Sequence, residues 1–196
     1  MNKGADRANP GSGLSQKGIM QGNPGGNSVA MASGREMQLT RQIGEHLVAA
    51  ELGRLGYVAA PFAGNVPLFD LLAANPAGQA VPVQVKAIRT NSWQFKVSEF
   101  LDIEFQKDGR QLVRGPAKLS NPKLICIFVQ LGSDRKKDRF FVFKLRDLQR
   151  HFLKTYKSRL RPKNPQSLHC AIWIKDLKQH ENNWDLVSAA LGRVLT

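Results

Sequence analysis

Hydrophobic positions recur at helical spacing over residues 36–55 and predict the first helix of the chain. Leu39, Ile43 and Leu47 are four residues apart, and Val48 begins a second apolar arc. A helix that is apolar on two sides is expected to pack against neighbours on two sides. The glycines that follow are expected to end it.

Shorter patterns predict strands. Residues 68–73 are apolar around Asp70, a turn-rich segment follows at 75–78, and residues 81–89 alternate between apolar and polar positions. Residues 101–105 and 111–114 are expected to pair as a hairpin across an Asp-Gly turn. Further strands are predicted at residues 124–131, 139–145 and 170–174, and further helices at residues 146–156 and 184–194.

This order of elements favours a mixed α/β or α+β domain, with a central mixed sheet of four to five strands flanked by helices. Residues 1–35 are rich in Gly, Asn and Ser and contain few large apolar side chains. Such a segment buries too little surface to offset its ordering entropy, so we expect a disordered tail there. The folded domain is expected to span residues 36–196.

The charge balance points to a polyanionic partner. The chain of 196 residues carries 29 Lys and Arg against 15 Asp and Glu, a formal net charge of +14. No apolar run approaches the roughly 20 residues of a membrane-spanning helix. The basic residues are spread over strands and loops instead of one helical face, which favours nucleic acid over a membrane surface.

The two cysteines, Cys126 and Cys170, both lie in apolar, strand-like runs. They are expected to be small buried side chains in a reducing compartment, which predicts a cytoplasmic protein. Four scattered histidines and no CxxC motif give little support to a zinc site.

One predicted hairpin contains the polar residues best suited to chemistry. Gln84 and Lys86 are two apart and therefore share a face of their strand, and Asp70 lies in the preceding one. A carboxylate, an amide oxygen and an ammonium close together suit Mg²⁺ and a polarised water. The backbone carbonyl of Val85 is a further candidate ligand, and Glu45 of the first helix is a second carboxylate.

In this layout the sequence resembles the core of the PD-(D/E)XK nucleases, which have the restriction-endonuclease-like fold. It is most similar to archaeal Holliday-junction resolvases and Mrr-type restriction enzymes. The resemblance covers about residues 36–90. The matching positions, in chain order, are Gly44-Glu45, Gly56-Tyr57, Phe69-Asp70 and Val83-Gln84-Val85-Lys86.

The resemblance implies an endonuclease that hydrolyses DNA with Mg²⁺ or Mn²⁺. Asp70 would be the essential metal ligand, Glu45 would hold the metal directly or through water, and Lys86 would orient the attacking water and stabilise developing charge. Gln84 stands where most members have Glu or Asp. A neutral amide binds Mg²⁺ less strongly and cannot take a proton, although some Mrr-like members are similar in having Gln there.

Other polar and aromatic residues have two interpretations. Asp70 could instead cap a turn or form a structural ion pair with Lys86, and Glu45 could be an ordinary surface residue. Trp93 and Phe95 could stack on bases, but alternating aromatics are more typical of a core. Basic residues that could contact phosphates, or could be merely solvated, are Arg89, Arg135, Lys136, Lys137, Arg139, Lys154, Lys157, Arg159, Arg161 and Lys163.

Three functions therefore remain open at this level. The first is a metal-dependent DNA endonuclease, for which cutting both strands would favour a two-fold homodimer. The second is a non-catalytic module on the same fold that binds DNA or a partner protein, its acidic site eroded at Gln84. The third is an unrelated basic domain that binds RNA or DNA.

Overall fold

The computed structural model of the chain describes residues 33–62, 68–134, 137–157, 159–160 and 166–192. The helices are α1 (Gly34–Arg54), α2 (Leu145–Thr155) and α3 (Asp185–Leu191). The strands are β1 (Val58–Pro61), β2 (Leu71–Ala74), β3 (Ala80–Ile88), β4 (Ser92–Lys96), β5 (Leu101–Phe105), β6 (Arg110–Pro116), β7 (Ile125–Gln130), β8 (Arg139–Lys144), β9 (Arg159–Leu160) and β10 (His169–Trp173). Short 3-10 helices follow β4 and β10, at Val97–Glu99 and Ile174–His180.

A five-stranded sheet in the order β1-β2-β3-β7-β8 forms the centre of the fold. The β3–β7 pair is parallel and the other three pairs are antiparallel. The predicted mixed α+β architecture with a central mixed sheet and flanking helices is therefore confirmed. The 124–131 segment is also as predicted, because β7 is buried on both faces.

The central sheet separates two apolar cores. One face packs α1 and α3 against the valines of β3, with Val48, Leu52, Val83 and Val85 buried. The other face packs α2 and β4 against the phenylalanines of β7 and β8. Trp93 and Phe95 are 2% and 7% exposed and belong to this second core, as the alternation predicted. Both cysteines are buried, and they do not form a disulfide with each other.

Helix α1 begins earlier than its apolar periodicity indicates. Ser33 caps it: its Oγ accepts a hydrogen bond from the N–H of Glu36, and the Glu36 carboxylate accepts one from the N–H of Ser33. This capping box satisfies two N–H groups that would otherwise lack partners at the helix start. Residues 33–35, assigned to the tail from composition, therefore cap and begin α1. The rest of the predicted tail lies outside the described residues.

Two smaller sheets complete the fold. Strands β5 and β6 form the predicted hairpin, with Gly109 in a positive-φ conformation at its turn and β9 added along β6. Strands β4 and β10 pair as an antiparallel ribbon that sequence patterning did not predict as a pair. Among the described residues, no helix is long and apolar enough to span a membrane.

Candidate active site

Asp70 lies immediately before β2, not inside it as its apolar neighbours predicted. Leu68, two residues earlier, has φ of 81°, a left-handed conformation that is costly for a residue other than glycine. The N–H of Asp70 donates to the carbonyl of Val83 (2.9 Å). Its carboxylate Oδ2 accepts the N–H of Val85 (2.8 Å). These two bonds hold Asp70 alongside Gln84.

Gln84 and Lys86 project from the face of β3 opposite α1. The flanking valines are fully buried on the α1 side, whereas Gln84 and Lys86 are half-buried. In the parallel register, Gln84 lies beside Cys126 and Lys86 beside Phe128 of β7. The predicted alternation along β3 is therefore confirmed.

Aromatic side chains of β4 hold Lys86. Its Nζ lies 5.4 Å from the centroid of the Phe95 ring, within the range of a cation–π interaction. The indole N–H of Trp93 donates to the backbone carbonyl of Lys86 (3.0 Å). The alternative of a structural ion pair is not observed, because no Asp70 oxygen lies within ion-pairing distance of Lys86 Nζ. The lysine therefore lies over an aromatic surface with its charge uncompensated by Asp70.

Glu45 is a buried residue of α1, not a surface one, with 7% of its surface exposed. Its Oε1 accepts a hydrogen bond from Arg41 Nε one turn earlier (3.0 Å). Burial raises the pKa of the Glu45 carboxyl, Arg41 lowers it, and the negative charge of Asp70 raises it further. Glu45 and Asp70 belong to different elements, and the charge of one therefore disfavours ionisation of the other.

The close packing of α1 on β3 explains why Glu45 is near the site. A Cβ on Gly44 would collide with the Cβ of Ala87 and would contact Val85. Only glycine lets the helix approach β3 this closely at the residue before Glu45. Gly44 therefore allows α1 to hold the Glu45 carboxylate close to β3.

Cys126 of β7 lies beside Gln84 in the parallel register. Burial raises the pKa of its thiol to about 12, Lys86 lowers it, and Asp147 and Asp70 raise it. Of the four side chains singled out in the sequence, Asp70, Gln84 and Lys86 therefore lie along the same stretch of β3, whereas Glu45 belongs to α1, which packs on the other face of that strand.

The oxygen atoms around Asp70 are of the kind that a hard divalent cation prefers. Asp70 Oδ1 accepts no hydrogen bond from any described residue. The N–H of Val85 faces Asp70, and a strand residue directs its carbonyl to the same side as its N–H. The side chains predicted to hold a metal, the Asp70 and Glu45 carboxylates and the Gln84 amide, together with the Val85 carbonyl, are oxygen donors of the kind that Mg²⁺ or Mn²⁺ prefers over a soft metal. No cluster of three His, Cys, Asp or Glu side chains occurs among the described residues.

An open cleft of about 620 Å³ adjoins this site. Its lining residues are Lys86, Gln94, Phe95, Lys96, Glu99, Gln166, Ser167, Leu168 and His169. The wall at 166–169 is fixed by two hydrogen bonds. The fully buried Gln111 donates to the Ser167 carbonyl (2.9 Å), and the N–H of Val97 donates to the Leu168 carbonyl (2.8 Å). The cleft gives a ligand access to Lys86 from solvent.

The basic residues predicted from the sequence to contact phosphates differ in their exposure and in their partners. Arg89 is exposed and donates through Nε to Thr40 Oγ1 (3.2 Å), and Lys154 and Lys157 are exposed. Lys137 pairs with Asp134 (3.0 Å). Arg139 is bound through Nε and Nη2 to both carboxylate oxygens of Glu181 (2.7 and 2.8 Å). Arg135, Lys136, Arg161 and Lys163 lie outside the described residues, as does the side chain of Arg159.

No protein-family model matches the chain, and no curated protein matches its sequence. Among solved structures, the chain is similar to the bacterial homing endonuclease I-Ssp6803I. The two share 17% sequence identity and a TM-score of 0.40, over 80% of this chain and 92% of that chain.

Proposed function

We propose that the chain is a metal-dependent DNA endonuclease of the PD-(D/E)XK type with a QxK variant of the motif. The observation that supports this is that Asp70 is held at Val85, between Gln84 and Lys86 of β3, and that its charge raises the pKa of Glu45 on α1. Three separate elements contribute these side chains, and the Val85 N–H fixes the carboxylate of Asp70 (2.8 Å). The net charge of +14 supports a polyanionic substrate.

In this proposal the oxygens of Asp70, Glu45 and Gln84 and the Val85 carbonyl hold one Mg²⁺ or Mn²⁺. When bound, the cation supplies Lewis-acid activation of water and of the phosphate. Burial raises the pKa of Glu45 in the free protein, and only the ionised carboxylate can act as a ligand. Cation binding is therefore coupled to proton release.

Lys86 is the second participant. Its ammonium lies over Phe95, and no carboxylate of the described residues forms an ion pair with it, so it is available to a phosphate oxygen. In hydrolysis, a water oxygen bonds to phosphorus while the bond to one ester oxygen breaks, and negative charge grows on the phosphate oxygens. A fixed ammonium stabilises that charge more in the transition state than in the ground state.

Gln84 favours a second candidate, a non-catalytic DNA-binding module. Its neutral amide leaves the site with two carboxylates, and a site with fewer anionic ligands binds Mg²⁺ more weakly. Metal-dependent cutting separates the two candidates.

The deciding experiment is cleavage of plasmid and branched DNA with Mg²⁺ or Mn²⁺, run beside EDTA. Asp70→Asn is the informative variant, because the amide oxygen can still accept the Val85 N–H while the charge is lost. Asp102→Asn, an exposed residue of β5, is the matched control. We expect cuts with the parent and the control, and none with Asp70→Asn or with EDTA. Tight binding without cuts on any substrate would instead identify the non-catalytic module.

A further inference from the structure

The β4–β10 ribbon has two faces of opposite character. Its inner face is core, with Trp93, Phe95, Cys170 and Ile172 all buried. Its outer face is polar. The exposed Gln94 and Lys96 lie directly across the ribbon from Ala171 and His169. Because of this alternation, the inner face of the ribbon packs in the core and the outer face is open to solvent.

The outer face is continuous with the candidate active site. Gln94, Lys96 and His169 line the same cleft as Lys86. The ribbon is also tied to β3, since Trp93 donates to the Lys86 carbonyl (3.0 Å). A ligand that reached Lys86 through this cleft would therefore also contact the ribbon.

Building on the proposed endonuclease function, we propose that this ribbon enters the major groove of duplex DNA and that Gln94 and Lys96 contact base edges. Strands about 4.8 Å apart, with side chains, match a groove roughly 12 Å wide. A ribbon with five residues in each strand follows the groove for about 17 Å. Gln pairs well with adenine and Lys with guanine in the major groove.

Glu99 supports base edges over phosphates as the ligand at this surface. Glu99 follows β4 and lines the cleft beside Lys96, where its carboxylate would repel a phosphate placed against the ribbon. A base edge has no net charge and presents amino donors that a carboxylate can accept. The mixture of amide, ammonium and carboxylate is therefore better suited to reading bases than to holding the backbone.

The test measures binding, so that it does not depend on cutting. The chain of 196 residues carrying Asp70→Asn is equilibrated in Mg²⁺ with a duplex library that has a fully randomised core, and the bound duplexes are sequenced. Gln94→Ala and Lys96→Ala are added to this background. Arg54→Ala is the control, because it also removes surface polarity but lies on α1, across the central sheet from the ribbon.

We expect the parent to enrich a preferred sequence and each ribbon variant to relax the preference at one or two positions. Discrimination there should fall by roughly 5- to 100-fold, the range for one lost base contact. The Arg54→Ala preference should match that of the parent.

A preferred sequence that neither ribbon variant changes would overturn the ribbon assignment and leave the proposed endonuclease standing. Binding without any sequence preference would also overturn the ribbon assignment. The endonuclease proposal is tested separately, by plasmid cleavage with the unmodified chain. Failure to bind any duplex would overturn both proposals.

Discussion

The carboxylate of Asp70 accepts a hydrogen bond of 2.8 Å from the backbone N–H of Val85, the residue between Gln84 and Lys86. A side chain from the residue before β2 thereby accepts the hydrogen bond of a β3 backbone N–H, which in a sheet would come from a paired strand. The same contact fixes the carboxylate and satisfies a backbone donor. Asp70 consequently has a structural role in addition to its proposed catalytic one.

This dual role predicts different stabilities for two variants at position 70. Asp70→Ala leaves the Val85 N–H without its acceptor and should lower the free energy of unfolding by about 1–3 kcal/mol, toward the lower end because Asp70 is half-buried. Asp70→Asn retains an acceptor and should cost less. Urea unfolding measures both. Equal losses for the two variants would show that the hydrogen bond contributes nothing.

Glu45→Gln should stabilise the protein at neutral pH while removing metal-dependent cleavage. The pKa of Glu45 is raised in the folded state, mainly by burial. Its contribution to stability is therefore fully present below the pKa of the unfolded chain and is lost as pH rises through the folded pKa. A glutamine cannot ionise, so it avoids that loss.

The measurement for Glu45 is the free energy of unfolding from acid to neutral pH. The difference in free energy of unfolding between Glu45→Gln and the parent should increase as pH rises. Glu51→Gln is the control on the same helix, where the carboxylate pairs with Arg54 at the surface. A gap that stays constant across pH would mean that Glu45 does not titrate in this range.

Two glycine variants in α1 should have opposite effects. Gly44→Ala collides with Ala87, and should cost about 1–3 kcal/mol of stability and displace Glu45 from Asp70. Gly53→Ala has open space around its new methyl group and should stabilise the helix by about 0.5–1 kcal/mol. Thermal unfolding and cleavage rates test both. A Gly44→Ala protein with parental stability and rate would rule out close packing at this position.

Lys86→Met should lower activity strongly while changing stability little. The lysine has no ion pair with Asp70, so only its interaction with Phe95 is lost, about 0.5–1 kcal/mol at most. Cleavage at saturating enzyme should fall by at least about 100-fold, as for other lost charge-stabilising groups. Lys107→Met, an exposed lysine of the β5–β6 turn, is the comparison. Parental cleavage by Lys86→Met would remove this residue from the proposed mechanism.

Two basic residues grouped together in the sequence should differ in DNA binding. Arg139 is already bound to Glu181 through two hydrogen bonds, so Arg139→Gln should lower stability by roughly 1 kcal/mol and change DNA affinity little. Lys154 is exposed, so Lys154→Gln should weaken binding to all sequences and reduce the salt slope by about 1 if it contacts a phosphate. Titrations at several salt concentrations give both values. Equal salt slopes for the two variants would contradict this distinction.

Local patterns predicted much of the fold because they reflect local geometry. The alternation along β3 placed Gln84 and Lys86 on one face, and the continuous apolar run of β7 indicated burial on both sides. The apolar residues around Asp70 were misleading, because the positive φ of Leu68 delays the start of β2. The Ser33–Glu36 capping box was readable from sequence and gives the start of α1, which apolar periodicity cannot locate.

The sequence by itself determined the order of the elements, the two-sided burial of the sheet and the positive charge of the chain. Only the tertiary structure decided that Asp70 acts on Glu45, that Phe95 lies beneath Lys86, and that Glu181 pairs with Arg139. These pairings join elements distant in the chain or depend on side-chain direction. Periodicity fixes the face that a side chain occupies, but the partner on that face is set by how the sheet and helices pack.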